Sequence, residues 1–327
     1  MPVLTKAPLR VLCDGMKGEN YWTHGCMAYM AACLGLPEAY HYQFFNCYSG
    51  DSVTLLFSKD PAREVRCLSH ELTEEGLERD FRALGYSYTY VSGITEETRA
   101  GYLERIRESL ARGLPVMARG GDSDAMRIEF NCIVGWEEDA LLYLFCDKDK
   151  AEKVAEAAFT ELVFAGEKIA EPLSAADGYR EAVYRVPRLL TRPSTERFSF
   201  GVQAFYDWAE QLENGSLSQW ESPAGNVWAV HGTYLCMLGS NGYGYGLYDQ
   251  AMAYHADMDW LQDIQPLYAE LQDIFEILAY RDGGLCGGFD MKPEDVRRPE
   301  KMRPVCEKIR RAAELTQEVA DKIACHI

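Results

Sequence analysis

Hydrophobic positions in the first third of the chain alternate between helical and strand spacing. Residues 25–34 (GCMAYMAACL) carry small and apolar side chains at helical intervals, with Thr23 as the expected cap and Gly35 and Pro37 as the stop. A second helix is expected after Thr73, with Leu72 and Leu77 as a hydrophobic staple and Gly85 as its end. A third runs from Thr95 to Arg112 and stops at Gly113. Strand patterns occupy 86–91, 115–119, 127–136 and 141–146, the last two joined by a turn at Glu137, Glu138 and Asp139. Helices come early and an antiparallel meander comes late, which predicts an α+β fold.

Residues 179–190 (YREAVYRVPRLL) read as strand-like, and the polar TRPSTER segment at 191–197 reads as a linker. Beyond it, apolar residues return at helical spacing: Phe198, Val202, Phe205, Trp208 and Leu212, then Leu261 to Leu278, then Val305 to Ile323. The expected organisation is an α+β domain over 1–192 and a helical domain over 193–327.

Composition narrows the function classes. The 327 residues are 47% apolar and 26% charged, enough to build a core, and the net charge of −18 disfavours nucleic acid and anionic membranes as partners. No long apolar run or signal-peptide pattern stands out, so a cytoplasmic protein is expected. Eleven cysteines form no CxxC pair, and no histidines have metal-ligand spacing, so neither metal nor cofactor is anticipated. The glycine-rich segment 239–246 lacks the basic residues of a phosphate loop; its Tyr243 and Tyr245 are candidates to face a ligand. Between Phe198 and Tyr280 there is no Lys or Arg, whereas eleven acids are interleaved with aromatic residues. Carboxylates beside aromatic faces suit a small cationic molecule, and a plain solvated surface is the competing reading.

Cys26 lies at the start of its predicted helix, where the dipole and unpaired amides favour a thiolate. Trp22 and His24, beside it, are candidate ligand contacts, as is Asn131 further along. Downstream, RESLARGLPVMARG reads as a helix followed by a strand, and EFNCIVGWEEDALLYLFCD as a hairpin ending in Asp147. This layout resembles the papain-like fold of bacteriocin-processing peptidase domains and, more closely, the N-terminal domain of butirosin-type acyltransferases. It is also similar over nearly its full length to a group of bacterial proteins with a Glu-Cys-x4-Gly-Tyr-Asp pattern at this strand, where Phe130 and Asn131 here shift the Cys by two places to Cys132, an upstream motif like Tyr48-Ser49-Gly50-Asp51 and a helical second half. The resemblance implies Cys26 as nucleophile and Asp147 as orienting acid. The base position, six residues before Gly135, holds Glu129 where the peptidases have histidine, and Asn131 lies two residues on as a possible orienter. His231 and His255 are the other imidazoles considered as partners for Cys26. The expectation is a catalytically altered or inactive papain-like protein that binds a small amine-bearing ligand. The alternative is a Cys26-dependent acyltransferase or amide hydrolase acting on an amino compound.

Overall fold

The computed structural model describes residues 3–60, 63–121, 129–138, 140–154, 159–219, 227–242, 245–280, 285 and 287–327. Two compact units emerge: Met1–Asn46 with Leu72–Gly178, and Cys47–Glu71 with Tyr179–Ile327. The boundary expected at 192 falls inside the second unit, which also claims residues 47–71. Strand pairing explains this: Leu56–Ser58 forms a two-stranded antiparallel ladder with Phe198–Phe200, tying the early segment to the helical part of the chain.

Along the chain the strands are β1 (Val3–Leu4), β2 (Leu56–Ser58), β3 (Tyr86–Val91), β4 (Val116–Arg119), β5 (Asn131–Glu137), β6 (Ala140–Leu144), β7 (Glu152–Val154), β8 (Glu161–Lys168) and β9 (Phe198–Phe200). The first unit is built on an antiparallel sheet of order β3-β8-β4-β5-β6-β7, with β1 pairing the far end of β5 beyond the reach of β4. The α+β class is therefore as expected, although β8, between β3 and β4, was not anticipated. The strand expected over 127–136 begins only at Asn131, leaving Glu129 and Phe130 just before it.

Three helices of this unit follow their sequence signals closely. The first, α1 (Trp22–Cys33), ends with Gly35 at a φ of 79°, a left-handed conformation that glycine adopts without strain. Thr73–Leu84 is stopped by left-handed Gly85, and Glu96–Ala111 starts at Thr95, whose backbone N–H donates to Thr98 Oγ1 at 3.0 Å. Thr23 and Thr73 do not cap: each lies within the first turn, and Tyr21 and Leu72 occupy the cap positions.

One face of the sheet presents Val116, Ala118, Ile133, Tyr143, Leu162 and Phe164 to Ile106 and Leu110 of Glu96–Ala111, forming the apolar core. Alternation along the strands sends Met117, Cys132 and Val163, which are paired across β4, β5 and β8, to the opposite face, the side of α1. Cys26 is thereby brought to the sheet.

The second unit is mainly helical. Gly201–Glu213 packs along the 26-residue Pro299–Ala324, and Gln265–Ala279 packs on Thr233–Gly242. The strand-like segment 179–190 is instead part of the helix Ala175–Leu190. Its buried residues Tyr179, Ala182, Val183, Val186 and Leu190 follow helical intervals, and β-branched valines obscured that period. Among the described residues no helix is long and apolar enough to cross a membrane.

Candidate functional site

Cys26 is the fifth residue of α1, one turn deeper than expected, so its amide is not among the unpaired donors of the helix start. It is 0% exposed. Its Sγ lies 3.4 Å from the Phe130 carbonyl oxygen and 3.5 Å from Cys146 Sγ. Burial by itself pushes this thiol up, but hydrogen bonds from the Cys132 and Cys146 thiols, with the nearby His24, pull it down to about 5. Burial, together with donation to Cys26, holds Cys132 well above the ordinary thiol range; burial, contact with Cys13 and donation to Cys26 do the same for Cys146. Neighbouring thiols, and not the helix start, are the source of the downward pull on this thiol.

The thiols converge from four separate stretches of chain: Cys13 from the N-terminal segment, Cys26 from α1, Cys132 from β5 and Cys146 from the residues after β6. Both the Leu12 and Cys13 amides donate to the Cys146 carbonyl at 2.9 Å, laying the N-terminal segment over the cluster. Gly25 permits that approach, because a Cβ there would stand 2.5 Å from Cys13 Sγ and 2.6 Å from the Leu12 carbonyl oxygen. Local sequence spacing contains no sign of this cluster. The sequence offers one hint: a cysteine lies three residues after Glu129 and another immediately before Asp147.

The other expected site residues take different roles. Glu129 is 8% exposed, and its charge acts on Arg119. Burial opposes the Arg119 charge, while Glu161 sustains it through contacts of 3.0 and 2.6 Å and Glu129 adds to it; the guanidinium covers the Phe130 ring. Asn131 donates to the Glu129 carbonyl at 3.2 Å and accepts from the Cys146 amide at 3.3 Å, so it braces the loop before β5 against the end of β6. His24 is buried between the rings of Tyr21 and Tyr42 and influences Cys26 through space. Trp22 is half-buried, and its carbonyl oxygen lies 3.7 Å from the Cys146 sulfur. Asp147 has a 53% exposed side chain, 3.6 Å from Lys148.

His231 is 1% exposed and held within the second unit, its Nδ1 accepting from Trp208 Nε1 at 3.1 Å and its Nε2 lying 2.8 Å from the Gly287 carbonyl oxygen. These contacts define a neutral ring with the proton on Nε2, and burial lowers its pKa to about 4. His255 is the residue preceding a 3-10 helix at Ala256–Asp263. Tyr243 lies outside the described residues, and Tyr245 begins the helix Tyr245–Tyr254.

The interleaving of acids and aromatics over 198–280 resolves into different surroundings for the two residue types. Trp208, Tyr234, Tyr248 and Tyr268 are core residues. Glu213, Asp257 and Glu270 pair with Arg310, Arg180 and Arg311, all supplied from outside the acidic run, at 2.7–2.8 Å.

Asp147 also borders a groove of about 680 Å³ in the first unit, shared with Arg10, Asp14, Glu19, His41 and Tyr42. Cys13, a member of the thiol cluster, and Gly25 form part of its wall. Lys17 on the same rim pairs with Asp14 at 3.3 Å. Neither a protein-family model nor a curated protein sequence matches this chain. Among the described residues there is no group of three or more histidines, cysteines and acids arranged to hold a metal ion.

Proposed function

We propose that this chain is a catalytically altered papain-like protein that binds a small amine-bearing ligand in the groove beside Asp147. The observation that carries the reading is the separation of the nominated catalytic groups by environment: Cys26 is sealed, Glu129 acts on Arg119, and Asp147 is open to the groove. A thiol protease needs its nucleophile, base and orienter within hydrogen-bond reach of one another. Here the acid that would orient the base is instead available to a ligand. Asp147, Glu19 and Asp14 supply acceptors for an ammonium group, and Tyr42 lines the groove beside them. Arg10 on the same wall favours an amine that also carries hydroxyl or carboxylate groups over a simple polycation.

The test is thermal stability at ~0.15 M salt with polyamines, aminosugars and amino acids, each against a neutral isostere. A selective amine should raise Tm for the native protein and lose most of that effect in Asp147→Asn. Equal shifts from every polycation, abolished by added salt, would sink the reading.

The lowered Cys26 pKa favours a second reading, Cys26-dependent acyl transfer to or from an amine. A covalent acyl adduct at Cys26, detected by intact mass and absent in Cys26→Ala, would establish it over simple binding.

A further inference from the structure

We infer that Cys26 and Cys146 are a peroxide-reactive dithiol that closes to an intramolecular disulfide. The two sulfurs are already in contact at 3.5 Å, and disulfide formation needs them to close to about 2.05 Å. They sit on different pieces of chain: Cys26 on α1, and Cys146 in the residues that follow β6. The approach is a matter of side-chain rotation, since the Cys146 backbone is held by Asn131 at its amide and by the Leu12 and Cys13 amides at its carbonyl. Cys132 lies within paired β5, opposite Met117 and Leu144, and has less freedom to follow.

The groove lies on the same side, with the Leu12–Cys13 segment between it and the buried sulfurs. The groove wall includes Cys13 and Gly25, and Cys13 is joined to Cys146 through its backbone amide at 2.9 Å. Hydrogen peroxide is little larger than water and needs only a slight displacement of the Leu12–Cys13 segment to reach the sulfurs. Electrostatics also suit the reaction, because the Cys132 and Cys146 thiols favour the Cys26 thiolate, the form that attacks peroxide.

The chemistry balances with one peroxide per dithiol. The Cys26 thiolate attacks one peroxide oxygen, the O–O bond breaks, and hydroxide leaves as water after taking the proton shed by Cys26; Cys26 becomes a sulfenic acid. Cys146 sulfur then attacks Cys26 sulfur, forming the S–S bond and expelling the sulfenic hydroxide, which leaves as water with the Cys146 proton. Both thiols are oxidised together by two electrons, and the peroxide is reduced to two waters. This proposal is independent of any amine in the groove.

The experiment uses the native full chain with one equivalent of hydrogen peroxide, an acid quench, alkylation of the remaining thiols, and peptide mass spectrometry. The expected product is a dithiothreitol-reversible cross-link between the peptides holding Cys26 and Cys146. It should form ahead of sulfenic acid at exposed Cys325, because the resolving sulfur already stands 3.5 Å from Cys26. Cys146→Ser, checked for native circular dichroism, should instead accumulate a Cys26 sulfenic acid that dimedone traps. Oxidation of Cys325 while Cys26 and Cys146 stay reduced, or a cross-link joining Cys26 to Cys13 or Cys132, would overturn the assignment. The wild-type product decides between these outcomes even if the variant fails to fold.

Discussion

Buried His231 sets a pH dependence that can be worked from its contacts. The ring must stay neutral while Trp208 donates to Nδ1, and burial lowers its pKa from 6.5 to about 4. In the unfolded chain it titrates near 6.5, so between pH 6.5 and 4 the unfolded state binds a proton that the folded state refuses. The stabilising contribution is fully present above pH 6.5 and is lost as pH falls through about 4. At about 1.36 kcal/mol per pKa unit, the whole span corresponds to about 3 kcal/mol. His231→Gln removes the titration while keeping an amide that can accept and donate. Hydrogen exchange of the Gly201–Glu213 amides reports the opening free energy of the second unit itself, so the first unit does not enter the comparison. From about pH 7.5 to about pH 4.5, wild type should lose about 2–3 kcal/mol more than the variant. Contact energies lost by the substitution do not depend on pH and cancel in that difference. An equal loss in both proteins would show that His231 is protonated in the folded state, and the neutral-ring assignment would be refuted.

Other consequences are local. The Tyr143 hydroxyl is buried in the apolar core of the first unit with no hydrogen-bond partner among the described residues, so Tyr143→Phe should leave stability unchanged or raise it by about 1 kcal/mol in denaturant unfolding; a loss of stability would reveal a partner for the hydroxyl. Gly25→Ala forces a methyl against Cys13 and the Leu12 carbonyl, which should cost about 1–3 kcal/mol and speed iodoacetamide labelling of Cys26 by lifting the segment that seals it. Unchanged labelling would mean that the segment is not the seal. Glu71, buried between His70 at 3.1 Å and Arg63 at 2.5 Å, is held below the usual carboxylate range, although burial opposes its charge. Glu71→Gln should cost about 2 kcal/mol at neutral pH, with the deficit shrinking as acid protonates Glu71 in the wild type. A deficit that stays constant into acid would remove the charge from the explanation.

What could be read from the chain beforehand depended on how local its cause was. Glycines at 35, 85 and 113 end helices because left-handed backbone is needed there, and each position shows it. The 86–91 strand agrees to the residue. The helix Ala175–Leu190 was misread because its valines and tyrosines have strand propensity and only packing selects the helical period. The Tyr48-Ser49-Gly50-Asp51 motif was noticed for its resemblance, and its local role is structural: Asp51 accepts from the Ser49 hydroxyl at 3.1 Å and the Ser69 amide at 3.2 Å. Cys26 is identifiable by its place on a helix, whereas the thiols that tune it, Cys132 and Cys146, lie far along the chain, Cys146 by 120 residues, and only the folded sheet brings them to it. Long-range pairing also decides the fates of Glu129 and Asp147, one set beside Arg119 and the other left at a groove.

The most direct test of the proposed function is to locate an amine on the protein by backbone amide chemical-shift mapping, using an aminosugar selected from the thermal panel and its neutral isostere as control. The account predicts saturable shifts at Asp14, Glu19, Tyr42 and Asp147 that the isostere does not cause. Shifts confined instead to the acidic helices around Asp249–Glu276, or identical shifts from both compounds, would contradict it.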